Sequence, residues 1–206
     1  KHWGDNILLP NASGPFYGSL TVYAAISGSS PIRTETISGI LALPVWQPMA
    51  YDLDGNIVDD GVWKYEWDAE NRLTAVYPTT NAVNAGVPHK RTEFRYDYLH
   101  RRVQKLVYSW NTGTGDWATT PDGGTGRRYL YDGWNLFAEF NAASGSEGAG
   151  TLVRTCLWGL DIAGSRTAAG GVGALLQVTD HTGGSPQVYF PAYDGNGNVA
   201  ALFNAS

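Results

Sequence analysis

One short phrase recurs along this chain and limits what it can fold into: an aromatic residue followed at once by aspartate. It occurs as Tyr51-Asp52, Trp67-Asp68, Tyr96-Asp97, Tyr131-Asp132 and Tyr193-Asp194. The continuation is shared as well. Asp52-Leu53-Asp54-Gly55-Asn56-Ile57 matches Asp194-Gly195-Asn196-Gly197-Asn198-Val199. Asp68-Ala69-Glu70-Asn71-Arg72-Leu73 matches Asp97-Tyr98-Leu99-His100-Arg101-Arg102-Val103 with one extra residue, and Asp132-Gly133-Trp134-Asn135-Leu136 is a shortened copy. Trp158-Gly159-Leu160-Asp161 is a degenerate member. Each unit reads as a hairpin. The aromatic ends a strand and packs on a neighbour. The aspartate accepts amide hydrogens from the turn that follows, which predicts capping by Asp52, Asp68, Asp97, Asp132 and Asp194. Gly55, Asn71 or Gly197 supplies a residue at positive φ, and His100 stands at the same position. A branched or leucine residue opens the next strand.

Alternation around the units agrees with strands. Trp63-Lys64-Tyr65-Glu66-Trp67 places three aromatics on one face, and Arg128-Tyr129-Leu130-Tyr131 reads likewise. A lone hairpin cannot bury such a face, but stacked hairpins can. Twelve tyrosines, eight tryptophans and 26 glycines suit aromatic strands joined by many turns. The expected fold is all-β: antiparallel hairpins in a curved, twisted sheet, with under about 15% helix, since no amphipathic period of helical length is present. Thr79 to Lys90 reads as a polar loop, Asn111 to Gly126 as one long turn holding Trp117, and Gly164 to Gly173 as too glycine-rich for a helix. Residues 1–44 form a β segment without repeats, with strands expected from Gly18 and from Arg33, and residues 45–206 form the repeat region.

Several function classes fall away. The net charge is -5, and no basic face suggests a nucleic-acid partner. The single cysteine, Cys156, forbids an internal disulfide and cysteine-rich zinc sites. No apolar run approaches the ~20 residues of a membrane helix. No phosphate-binding loop, dinucleotide fingerprint or nucleophile elbow is present, and no cofactor is expected. Asp52, Asp54 and Asn56, with Asp60 beyond, alternate like calcium ligands, but Ile57 and Trp63 stand where an EF-hand loop requires glycine and glutamate. A glycosidase requires two carboxylates ~5–9 Å apart. Glu66 and Glu139 are the candidates, with Glu139, between Phe137 and Phe140, less explained by strand alternation. The expectation is no catalytic site in this chain. Trp3, Trp46, Trp110, Trp117 and Trp134 lie outside the clearest packed positions, and Trp110, Trp117 and Trp134 are the candidates for stacking on a glycan.

The unit at 51–57 and 193–199 resembles the YD repeat of the Rhs and teneurin class. Longer phrases at 51–73, 127–140, 158–165, 170–180 and 189–202 are similar to the Rhs repeat-associated core region. The resemblance covers residues 45–206. It implies a spiralling β-sheet that closes into a hollow shell, which in that family encloses a toxic C-terminal domain or serves adhesion at the cell surface. The repeat positions carried over are Tyr51, Asp52, Gly55, Asn56, Trp67, Asp68, Asn71, Tyr131, Asp132, Gly133, Asn135, Tyr193, Asp194, Gly197 and Asn198. The family's self-cleaving segment and variable toxin have no counterpart in these residues. The expected function is a shell segment that encapsulates or presents another domain, in a secreted or cell-surface protein. Its partners would be the rest of the shell or an enclosed domain, and open sheet edges would allow self-association. The alternatives are a carbohydrate-binding module and a glycoside hydrolase.

Overall fold

The computed structural model describes residues 8–12, 14–24, 33–43, 49–142 and 150–205. Trp3, Trp46 and His2 lie outside them. The chain divides into two compact units, residues 1–91 and 92–206. Both are antiparallel β, and the described residues hold one short α-helix.

In the first unit β1 (Phe16–Ala24) pairs with β2 (Arg33–Ala42), with a bulge at Gly18/Ser19. A meander follows: β3 (Ala50–Tyr51), β4 (Ile57–Asp59), β5 (Trp63–Trp67) and β6 (Leu73–Pro78), each hydrogen-bonded to the next. The segment read as a polar loop after β6 contains helix α1 (Thr80–Asn84). The Thr79 hydroxyl caps it, accepting from the Ala82 amide at 3.2 Å and donating to the Gly61 carbonyl at 3.1 Å. A helix of five residues is too short to show a hydrophobic period, so the sequence pattern missed it. Val62, Ala82 and Val87 form the buried centre of this unit, and Tyr17, Leu41 and Trp63 pack on it. The repeat-free β1–β2 hairpin therefore shares a core with the first repeats.

Strand β7 (Lys90–Tyr96) carries the chain onward. The second unit continues with β8 (Arg102–Asn111), β9 (Asp116–Trp117), β10 (Arg127–Asp132), β11 (Asn135–Asn141), β12 (Leu152–Trp158), β13 (Leu175–Asp180), β14 (Gln187–Tyr193) and β15 (Val199–Asn204). The order β8-β10-β11-β12-β13-β14-β15 follows the chain, with β9 folded back onto β8. The segment read as one long turn is thus a hairpin with Trp110 opposite Trp117, closed at Gly115.

Five hairpins carry a bulge at one recurring place, just before their aromatic: Ala50/Tyr51, Glu66/Trp67, Leu130/Tyr131, Leu157/Trp158 and Ala192/Tyr193. The extra residue always lies on the returning strand, so each aromatic stands opposite the residue that opens it: Ile57, Leu73, Leu136, Leu175 and Val199. A bulge locally increases right-handed twist. Repeating it in these five hairpins gives the sheet of each unit twist and curvature at regular points.

Candidate functional site: the stapled aspartate turn

Asp52, Asp68, Asp97, Asp161 and Asp194 build the same turn. In each, Oδ1 accepts the amides two and four residues downstream at 2.8–3.1 Å. The aspartate amide donates to the carbonyl four residues on, and its own carbonyl accepts from the third residue. That third residue has positive φ: Gly55 at 88°, Asn71 at 58°, His100 at 63°, Gly164 at 70° and Gly197 at 79°. Asparagine and histidine tolerate this region better than most side chains, and glycine does so without steric cost. His100 is therefore a turn residue by geometry.

The fourth residue completes the ring through its side chain. Asn56 Nδ2, Arg72 Nε, Arg101 Nε and Asn198 Nδ2 donate to Oδ2 at 2.8–3.0 Å. In the Asp161 turn the Ser165 hydroxyl reaches Oδ2 at 3.5 Å, and the Ala169 amide donates to it at 2.6 Å. Arg72, Arg101 and Ser165 were not among the expected repeat positions. The signal was present, since the residue four past the aspartate always carries a side-chain donor. The Asp68 and Asp97 turns are also equal in length. The extra residue of the second lies in the strand beyond it.

These donors depress the carboxyls. The Asn56 and Asn198 side chains lead in holding Asp52 and Asp194 below the ordinary aspartate value, and the Arg72 amide leads for Asp68. Desolvation pushes Asp97 and Asp161 up, but the hydrogen bonds outweigh it and both are lowered.

Asp132 behaves differently. It pairs with Asn135 across a two-residue loop, Gly133-Trp134, with Gly133 at φ 58°. Among the described residues no amide donates to its carboxylate. A two-residue loop with glycine first closes through its own backbone and leaves no downstream amide for the side chain to collect. The member that looked degenerate, Asp161, is instead complete, and its carboxylate is almost fully buried.

A second linkage joins successive hairpins. Trp67 Nε1 donates to the Ile57 carbonyl at 2.7 Å, the Tyr131 hydroxyl to Arg102 at 3.0 Å, Trp158 Nε1 to Leu136 at 2.7 Å, and the Tyr193 hydroxyl to Leu175. Ile57, Leu136 and Leu175 are the residues that face the aromatic of the preceding hairpin. Each such residue thus packs against its own hairpin's aromatic and accepts from the next one. Turns also touch directly. Asn56 Nδ2 donates to Asn71 Oδ1 at 2.7 Å, and the Arg101 guanidinium donates to the Gly133 carbonyl.

The catalytic candidates are held by cations. Glu66 takes a bidentate pair from Arg91 at 2.7 and 2.6 Å, and that pair leads in lowering its carboxyl. Glu139 lies between Arg127, at 3.0 Å, and Arg154, at 3.3 Å, with its side chain 13% exposed. A hydrolase would need Glu139 to face a second carboxylate, but Arg154 stands opposite it on β12, Tyr129 stands opposite it on β10, and Arg127 reaches it diagonally from β10. A cavity of about 590 Å³ is lined by Leu136, Cys156, Trp158, Val178, Tyr189 and Leu202 with Arg154 and Asp180, and one of about 410 Å³ includes Asp59 and Lys64. Each contains one carboxylate, whereas hydrolysis of a glycoside takes two. Burial pushes the Cys156 thiol up, away from thiolate chemistry.

Two of the calcium candidates are occupied by the turn itself: both Asp52 oxygens accept from the protein, and Asn56 donates to Asp52 and Asn71, while Asp54 contributes its backbone amide to the turn. Asp60 accepts from Val62, Trp63 and Tyr65, and burial together with Asp60 pushes the Tyr65 phenol up to about 12. Among the described residues no group of three or more His, Cys, Asp or Glu side chains could hold a metal ion. Of the stacking candidates, Trp110 and Trp117 meet edge to face, 5.1 Å apart at 84°, which is not a flat platform. Trp134 lies on its hairpin loop, 64% exposed, at the border of a cavity of about 280 Å³ that Trp158 and Tyr193 also line. No helix among the described residues is long and apolar enough to cross a membrane.

The fold and the repeated turn define a chain of YD-type antiparallel hairpins. No family model matches it. It is 26% identical over 160 residues, 78% of its length, to the tRNA3(Ser)-specific nuclease WapA of Bacillus spizizenii. It is 36% identical over 61 residues, 30% of its length, to the tRNA nuclease WapA of Bacillus subtilis strain 168 and to the tRNA(Glu)-specific nuclease WapA of Bacillus subtilis subsp. natto. It spans 5% of the first relative and 2% of each of the others. These matches link the chain distantly to the broader Rhs/YD-repeat superfamily.

Proposed function

We propose that this chain is a wall segment of an Rhs-like shell, which encloses or presents another domain of a secreted or cell-surface protein. The observation that carries the reading is the stapled turn. The same turn closes one hairpin after another, and at four junctions an aromatic donor bonds a carbonyl of the hairpin before. A polar network spent on joining hairpins, with the acidic side chains occupied by amides and arginines, suits a wall better than a catalytic cleft. The relatives are named for tRNA cleavage. In the wall reading, any comparable activity belongs to a domain that the wall holds, and the isolated chain cleaves no tRNA.

The test is protection. The protein encoded by the complete surrounding gene is challenged with protease, beside its non-repeat domain made alone. The domain is expected to survive within the repeats at protease levels that digest it alone. Equal digestion in both settings would overturn the wall reading.

A further inference from the structure

The cavity of about 590 Å³ opens on one face of the second unit's sheet. Ligand pockets commonly measure ~300–1,000 Å³ and combine an apolar lining with a few polar groups. Residues alternate between faces along a strand, so Arg154 and Cys156 share a face of β12, as Asp180 and Val178 share one of β13. The registers set Cys156 beside Val178 and Val178 beside Tyr189, with Arg154 beside Asp180 one step along. The floor is therefore apolar, Leu136, Trp158 and Leu202 extend it, and one side is polar. That polar side is built on β12, β13 and β14, each of which is paired on both flanks. It belongs to the sheet face and owes nothing to a free edge.

The polar side keeps bonding capacity in reserve. Asp180 Oδ1 accepts the Thr182 amide and hydroxyl at 2.8 and 2.7 Å, whereas Oδ2 accepts from no described residue. The Tyr189 hydroxyl likewise has no hydrogen-bond partner among the described residues. Arg154 reaches Glu139 at 3.3 Å, while Arg127 holds that carboxylate more closely at 3.0 Å. Charge decides what fits here. A carboxylate drawn to Arg154 meets Asp180 beside it, and an ammonium drawn to Asp180 meets Arg154. An amide is uncharged, accepts through its carbonyl and donates through its N–H. We infer that this cavity binds a peptide segment by one large apolar side chain, with the adjoining backbone amide set against Arg154 and Asp180. The carbonyl accepts from the guanidinium or the Tyr189 phenol, and the N–H donates to Asp180 Oδ2. The site is formed within one unit of the chain and does not rest on the wall reading.

Ligand-observed NMR on the whole 206-residue chain tests this, with N-acetylphenylalaninamide, a capped residue, as the probe. Binding is expected at about 1 mM or below, the scale for a ligand of that size. N-acetylglycinamide, which lacks the side chain, should not bind detectably. N-acetylphenylalanine, a carboxylate, and phenethylamine, a cation, should each bind several-fold more weakly. Cys156, the only cysteine, reports the place: the probe should slow its modification by methyl methanethiosulfonate several-fold. Arg154→Gln leaves Asp180 unbalanced and should move the preference several-fold towards phenethylamine, a change that a merely structural role would not produce. Val178→Trp fills the cavity and should abolish binding, with thermal melts showing that both variants are folded. No binding of the capped residue, equal binding of N-acetylglycinamide, or an unchanged preference in Arg154→Gln would overturn the proposal. So would binding that persists in folded Val178→Trp or leaves Cys156 as reactive as before.

Discussion

Tyr131→Phe isolates the staple from the packing. The ring remains, and with it the stacking of the Arg101 guanidinium 5.2 Å from its centre. The hydroxyl is lost, and with it the 3.0 Å bond to the Arg102 carbonyl. A neutral hydrogen bond contributes about 0.5–1.5 kcal/mol net, and more when its abandoned partner is sealed from water. Arg102 is exposed, so water can replace the lost donor and the expected cost is about 1 kcal/mol. For an unfolding unit the size of the second one, residues 92–206, that corresponds to roughly 4 °C in Tm. Urea unfolding at constant m is the assay. Because the chain has two compact units, only the transition of the second should move. Tyr98→Phe is the control, since Tyr98 is 85% exposed in the neighbouring turn. Coincident midpoints for the two variants would refute the staple as a source of stability.

The turn carboxylates lead to a ranking: Asp97→Ala should destabilise clearly more than Asp132→Ala, which should stay within about 0.5 kcal/mol of the parent by the same urea assay. The pH dependence follows from depressed carboxyls. Stability from Asp52, Asp68, Asp97, Asp161 and Asp194 is fully present above the unfolded aspartate value and is lost as pH falls through the lower folded values, because the unfolded chain then binds more protons. Tm should therefore change little from about pH 5 to 7 and fall progressively below about pH 4, and Asp97→Asn should flatten that fall. Glu139→Gln removes the charge between two arginines and should cost about 1–3 kcal/mol, read by thermal unfolding. Neither parent nor variant should turn over a panel of chromogenic glycosides.

The strands, the hairpin order and the positive φ at Gly55, Asn71, His100 and Gly197 are all visible in the aromatic–aspartate phrase, because a turn is a local structure and its residue types report backbone geometry directly. Three features are not visible for identifiable reasons. Asp132 shares the phrase but lies one residue too near Asn135, and that single residue decides whether downstream amides reach a carboxylate. Asp161 has its aromatic three residues upstream, so adjacency failed as a criterion although the turn itself was intact. The bulges change register without changing composition, so alternation alone could not place them. The acidic residues illustrate a different limit. Nothing local to Glu66 or Glu139 announces Arg91, Arg127 or Arg154, because those partners come from other strands.

The identity of the aromatics carries one further step. Packing against Ile57, Leu136 or Leu175 would be satisfied by phenylalanine, and the chain has six. Yet the hairpin positions hold Tyr51, Trp67, Tyr96, Tyr131, Trp158 and Tyr193, and never phenylalanine. A purely hydrophobic demand does not distinguish these side chains, whereas a demand for a donor at the tip of a ring admits only tyrosine and tryptophan. The two donors sit at different distances from the backbone, and both reach a carbonyl of the preceding hairpin. The bulge beside Trp67, Tyr131, Trp158 and Tyr193 is well placed to absorb that difference, because it locally frees the strand from a strict ladder. The phrase that recurs in the sequence is therefore a joint between two hairpins as much as the turn of one. Its aspartate closes a hairpin and its aromatic fastens that hairpin to the one before.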